Sequence, residues 1–160
     1  MAATYEPIAS TTLGSAASSI TFSSIPADYT DLVIVVTGAN SEGSELGIQL
    51  NGDSSTNYSW TWIQGTGSAA NSGRASNAPR ARIGSFTTGG PHYAHATVMS
   101  YANANVYKTV LSSMDRVGNS VARIVGLWRN TSAVNEVKVI VEYGSLQTGT
   151  TASLYGIKAA

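Results

Sequence analysis

Residues 19–39 read SITFSSIPADYTDLVIVVTGA, two extended segments on either side of a Pro26-Ala27-Asp28 turn. In the first, Ile20 and Phe22 alternate with Thr21 and Ser23, the period of a strand that buries one face. The second, Leu32 to Val36, is apolar at every position, as a strand covered on both sides would be. In a small sandwich the second cover is expected from a loop or from another subunit.

The same cadence runs through the rest of the chain. ELGIQLNGD (45–53) places Leu46, Ile48 and Leu50 on one side and Gly47 and Gln49 on the other, and ends on a turn signal. NYSWTWIQ (57–64) gives Tyr58, Trp60 and Trp62 one parity, an aromatic strand face. RARIGSF, AHATVMSY, VYKTVLSSM, SVARIVGLW, EVKVIVEY and TASLYGI follow at short intervals, broken by Gly, Pro and Asn. Short strands at regular spacing, with no sustained helical period, predict an all-β antiparallel sandwich in one domain over residues 1–160. Residues 65–79, GTGSAANSGRASNAP, have no periodicity and no large apolar side chain, and are expected to form one long exposed loop. Residues 1–8 are expected to form an N-terminal arm. The closing TASLYGIKAA is apolar almost to its last residue, which makes sense if it is an interior strand with Ala152, Leu154 and Gly156 on one face and Tyr155 and Ile157 on the other.

Composition narrows the function classes. Charged residues make up 11% of the 160 residues, and nine basic side chains balance nine acidic ones. A neutral chain argues against electrostatic binding to nucleic acid or to an anionic membrane. Six of the nine acids, from Glu6 to Asp53, precede Arg74, the first basic residue. Such segregation means either pairing within the fold or docking of acidic on basic edges between copies. The chain has no cysteine, hence no disulfide frame and no thiolate chemistry. No secretory leader and no membrane-length apolar run is read in it, so folding in a cytoplasm is expected.

Motifs for chemistry are thin. His92 and His95, three apart on a strand, point to opposite faces and make a poor zinc pair. No Gly-x-Ser-x-Gly elbow occurs, and TTGGPH lacks the Gly-Lys-Ser/Thr of a phosphate loop. NGDSSTN (51–57) has oxygen ligands at alternate positions but no closing bidentate acid, and reads as a plain hairpin loop. No catalytic residue, metal ligand or cofactor is assigned.

Two ends of the chain carry a resemblance: MAATYEPIASTTLGSAASSITFSSIPADYTDLVIVV with the Asn51-Gly52-Asp53 turn and the Asn57-Tyr58 pair, and Trp128-Arg129-Asn130-Thr131 with Leu154-Tyr155-Gly156-Ile157. Together these resemble small structural proteins of tailed bacteriophages, especially phages of cyanobacteria and marine bacteria. Residues 65–79 match nothing in that pattern, and QTGTTAS departs mildly from the usual approach to the last strand. The resemblance implies a jelly-roll-like, non-enzymatic virion component, commonly oligomeric. Its leading form is a capsid decoration or cement protein: a homotrimer on the phage head that binds the major capsid protein, assembled in the host cytoplasm. The contact is then expected at Tyr5, Glu6 and Ile8 of the arm and at Leu32, Ile34 and Val36. The rival is a tail-fibre or receptor-binding domain for host polysaccharide, with Tyr58, Trp60, Trp62 and Trp128 stacking on sugar rings, although core packing is the commoner use of large aromatics. A carbohydrate-active enzyme on the same scaffold would need two carboxylates facing across a groove.

Overall fold

The computed structural model describes residues 4–116 and 120–158. Among them lie twelve strands and no helix. An eight-stranded antiparallel sheet contains β1 (Tyr5–Thr12), β3 (Asp31–Gly38), β5 (Tyr58–Gly65), β6 (Ala70–Ala78), β8 (His92–Val98), β9 (Lys108–Arg116), β10 (Ser120–Trp128) and β12 (Thr151–Ile157), in the order β1-β12-β3-β8-β9-β10-β5-β6. A four-stranded sheet contains β2 (Ser19–Phe22), β4 (Ser44–Leu50), β7 (Ala81–Phe86) and β11 (Val137–Val141), in the order β2-β11-β4-β7. The chain is therefore an all-β antiparallel sandwich, as its alternation predicts.

The core lies between the sheets. Leu32, Ile34 and Val36 of β3, Val110 of β9 and Leu154 of β12 face Leu46, Ile48 and Leu50 of β4 and Ile83 of β7, and all are fully buried. The last strand is an interior one. β12 pairs with β1 on one side and β3 on the other, and Ala152 and Leu154 point into the core. Its apolar end thus sits inside a ladder, with the parity the sequence implies.

Four expectations are corrected. Residues 65–79 are exposed but are not one long loop. β6 occupies Ala70–Ala78 and pairs along β5, with Trp62 opposite Gly73 and Trp60 opposite Ala75. The small side chains suit this place, because a Cβ on Gly73 would stand 2.8 Å from the Trp62 indole nitrogen. The described part of the expected arm, residues 4–8, is not free either. Tyr5–Thr12 is an edge strand, with a bulge between Pro7 and Ala9. On the outer side of Leu32–Val36, Val33 is covered by its own sheet, between Tyr155 and Thr97 on the flanking strands and not by a loop or subunit, while Val35 is half-buried. Finally, Asn51-Gly52 does turn, with positive φ of 53° and 67°, but it closes no hairpin. β4 and β5 belong to different sheets, so residues 51–57 carry the chain from one to the other.

Candidate functional site

The residues marked by sequence separate into three places. Leu32, Ile34 and Val36 are fully buried core and offer no surface to a capsid or a second subunit. The reason is register: β3 is a central strand, and its even-numbered side chains face the smaller sheet. Tyr5, by contrast, is 56% exposed on the edge strand. Glu6 beside it meets the Lys158 ammonium at 3.0 Å, and Ile8 packs partly against the core.

The four aromatics do not form one platform. Tyr58 and Trp128 are buried and stacked, ring centroids 6.2 Å apart. The Tyr58 hydroxyl accepts from the Leu50 N–H at 2.9 Å and donates to the Asp53 carbonyl at 3.1 Å. Burial raises its pKa well above the ordinary tyrosine value. Trp60 and Trp62 are half-buried, with the Arg82 guanidinium carbon 5.3 and 5.4 Å from their ring centroids. Core packing accounts for Tyr58 and Trp128, and neither can stack on a sugar.

The segregated charges pair within the chain. Arg80 meets Glu45 at 3.0 Å and Glu142 at 2.9 Å, Arg82 meets Glu45 at 3.1 Å, and Lys158 meets Glu6. The early acids and late bases are thus brought together by the ladder of β4 with β7 and by the approach of the two ends at β1 and β12. Asp53 is also committed. Its carboxylate accepts from the Ser55 N–H, the Asn57 amide and the Trp128 indole at 2.7–2.9 Å. Burial acts to raise its pKa, but the Asn57, Trp128 and Ser55 hydrogen bonds outweigh it and hold the group below 3.8. The histidines lie on opposite faces: His92 is buried, its Nε2 2.7 Å from the Thr87 hydroxyl, and His95 faces outward. Burial and the Arg123 charge hold the His95 pKa below the ordinary histidine value. Among the described residues no three His, Asp or Glu side chains come together as metal ligands would.

What sequence reasoning missed is the outer face of the larger sheet. Ile63 of β5, Tyr93 of β8, Leu111 of β9 and Val121 and Val125 of β10 are all exposed there, Ile63 and Val121 by 62% and 66%. The face is hollowed. A depression of about 850 Å³ is lined by Ile63, Tyr93, Asp115, Val121 and Arg123, and a second of about 340 Å³ by Thr61, Arg74, Val125 and Leu127. Solvent-facing positions of an antiparallel sheet are ordinarily polar, so aliphatic side chains at this parity set this face apart from an ordinary solvated one. The alternation in SVARIVGLW was visible; which parity faces water becomes clear only from the pairing.

No protein-family model matches the chain, and no curated protein matches it. Among solved structures it is similar to the alginate lyase Aly36B, at 10% identity and a TM-score of 0.42, over 92% of this chain and 76% of that one. A variant of that lyase in complex with an alginate tetrasaccharide gives 12% identity and a TM-score of 0.41, over 94% and 79% of the two chains. A tetrameric galectin from the ball sponge Cinachyrella sp. gives 12% identity and a TM-score of 0.36, over 87% and 99%.

Proposed function

We propose that this chain is a non-enzymatic structural protein of a phage virion: a capsid decoration protein that seats on the major capsid protein as a homotrimer and braces the head. The sequence resemblance supplies the class. The observation that carries the reading is the N-terminal strand, where the resemblance begins. Among the described residues β1 pairs only with β12 and stands at the edge of the sheet, and Tyr5, Pro7 and Ala9 to Thr12 are exposed. An open strand edge is a template for pairing with another chain. Pro7 and the bulge beside it interrupt that edge and limit which partner can align with it. The half-buried acids support a non-catalytic role, because Glu45 and Glu142 hold Arg80 and Asp53 holds a loop.

The test is reconstitution. Purified heads lacking decoration are incubated with the protein, sedimented, and imaged by electron microscopy, while native mass spectrometry reads the oligomer. The expected result is saturable binding of trimers at symmetric sites on the head. Tyr5→Ala combined with Ile8→Asp should weaken binding at least tenfold while circular dichroism still reports a β-fold. A stable monomer that does not bind heads, or density found only at the tail tip, overturns the reading.

A further inference from the structure

The two depressions on the outer face adjoin. Val121, Arg123, Val125 and Leu127 share one face of β10, with Ile63 and Thr61 beside them on β5 and Arg74 beyond on β6. From Val121 to Leu127 the trough runs roughly 20 Å along the strand. It lies at the opposite edge of the sheet from β1, so it is independent of the seat proposed above.

Among the described residues Arg80, Arg82 and Lys158 each meet a carboxylate, whereas Arg74 and Arg123, the two arginines that line the trough, form no ion pair. Arg123 is held in place by its Nη1–H donating to the Ser113 hydroxyl at 2.6 Å, which leaves most of the guanidinium donors facing solvent. Arg74 lies two strands over and one pleat along, which puts the two Cα atoms about 12 Å apart. Both therefore border one continuous surface, where successive charges on one extended polymer can meet them. Asp115, the acid that lines the larger depression, accepts the Tyr93 N–H at 2.7 Å. Near the arginines lie Ile63 and Val125, the latter opposite Leu111, with the hydroxyls of Thr61, Ser72 and Ser113 close by and the exposed Tyr93 ring at one end.

We infer that this trough binds an extended anionic polysaccharide, its carboxylate or sulfate groups held by Arg74 and Arg123 and its sugar faces resting on Ile63, Val125 and Tyr93. A guanidinium offers paired donors to a planar carboxylate or a sulfate. Alternating aliphatic and hydroxyl positions match a sugar chain, which presents C–H faces and polar edges in turn. A duplex nucleic acid fits less well: two arginines neutralise few phosphates, and the chain as a whole is neutral.

The test is affinity electrophoresis through gels cast with polygalacturonate, dextran sulfate, neutral dextran or duplex DNA. Retardation by one or both anionic polysaccharides, with none by dextran or DNA, is expected. Arg74→Ala and Arg123→Ala should each weaken retardation about tenfold, Arg123→Lys less, and Lys138→Ala on the other sheet not at all, with thermal melting showing each variant folded. Absence of retardation, equal retardation of all variants, or equal retardation by DNA overturns the inference.

Discussion

The indole N–H of Trp128 donates to Oδ2 of Asp53 at 2.7 Å. Trp128 ends β10 in the larger sheet, while Asp53 lies in the segment that leaves β4 of the smaller one. A single carboxylate therefore ties the crossing segment to the sheet it is about to join, and three neighbouring donors converge on it. The Tyr58 ring is stacked on Trp128 and bonded to the Leu50 and Asp53 backbone, which closes the same corner.

Removing that carboxylate should cost stability. Asp53→Ala strands a buried indole N–H and two further donors, a loss of about 2–3 kcal/mol. Asp53→Asn keeps an acceptor and should cost less. Because the folded pKa lies below 3.8, the stabilisation is complete above that value and fades as pH falls through the lower folded pKa. Urea melts between pH 7 and pH 2 check this. An acid-induced loss as large in Asp53→Ala as in the parent would show that other groups are responsible.

Alternation made the core legible. Ile20 with Phe22, the trio Leu46, Ile48 and Leu50, and Ala152 with Leu154 all face inward, and TASLYGI coincides with β12. β6 was hidden because Ala, Asn, Ser and Gly have little strand preference, and pairing with the aromatic β5 overrides it. The Leu32–Val36 run is ambiguous in sequence between core and contact, because a uniformly apolar strand does not reveal how many neighbours it will have. The trough is illegible in sequence for a related reason: its residues come from β5, β6, β8, β9 and β10, and only strand order brings them together.

Gly156 is the second structural lock. A Cβ there would stand 2.2 Å from Cγ of Tyr29, so the whole ring would have to leave. Gly156→Ala should destabilise by about 1–3 kcal/mol through overpacking. Combining it with Tyr29→Ala should cost less than the sum of the two single changes, because the clash is then gone. Additive costs would mean that the ring does not set the limit.

The Glu45 carboxylate joins Arg82 of β7 and Arg80 just before it, and the Arg80 stem lies across Gly47, where a Cβ would be 2.6 Å from Cδ. Glu45→Ala should cost about 1–2 kcal/mol, more than an exposed pair, because Arg80 is largely buried. The difference from the parent should shrink in 1 M salt, because the Glu45 carboxylate keeps partial contact with solvent and is screened in part. A salt-independent difference would point to lost packing of the glutamate stem instead.

Lys108 joins the loop between β8 and β9 to the segment after β10. It is fully buried, and its ammonium donates to the carbonyls of Asn103 at 2.6 Å, Val106 at 2.7 Å and Thr131 at 2.9 Å. Burial holds its pKa below the ordinary lysine value. Three N–H bonds to three carbonyls is the full donor capacity of an ammonium, so the group is there as a cross-link. Lys108→Met conserves the apolar stem but leaves three acceptors unmatched, and should cost about 3 kcal/mol. The effect should be local before it is global: amide exchange should accelerate at residues 101–107 and 130–134, while the β3 and β12 ladder keeps its protection. Unchanged exchange in those two segments, with a lowered melting point, would show that the lysine stabilises the core as a whole and does not pin the loops.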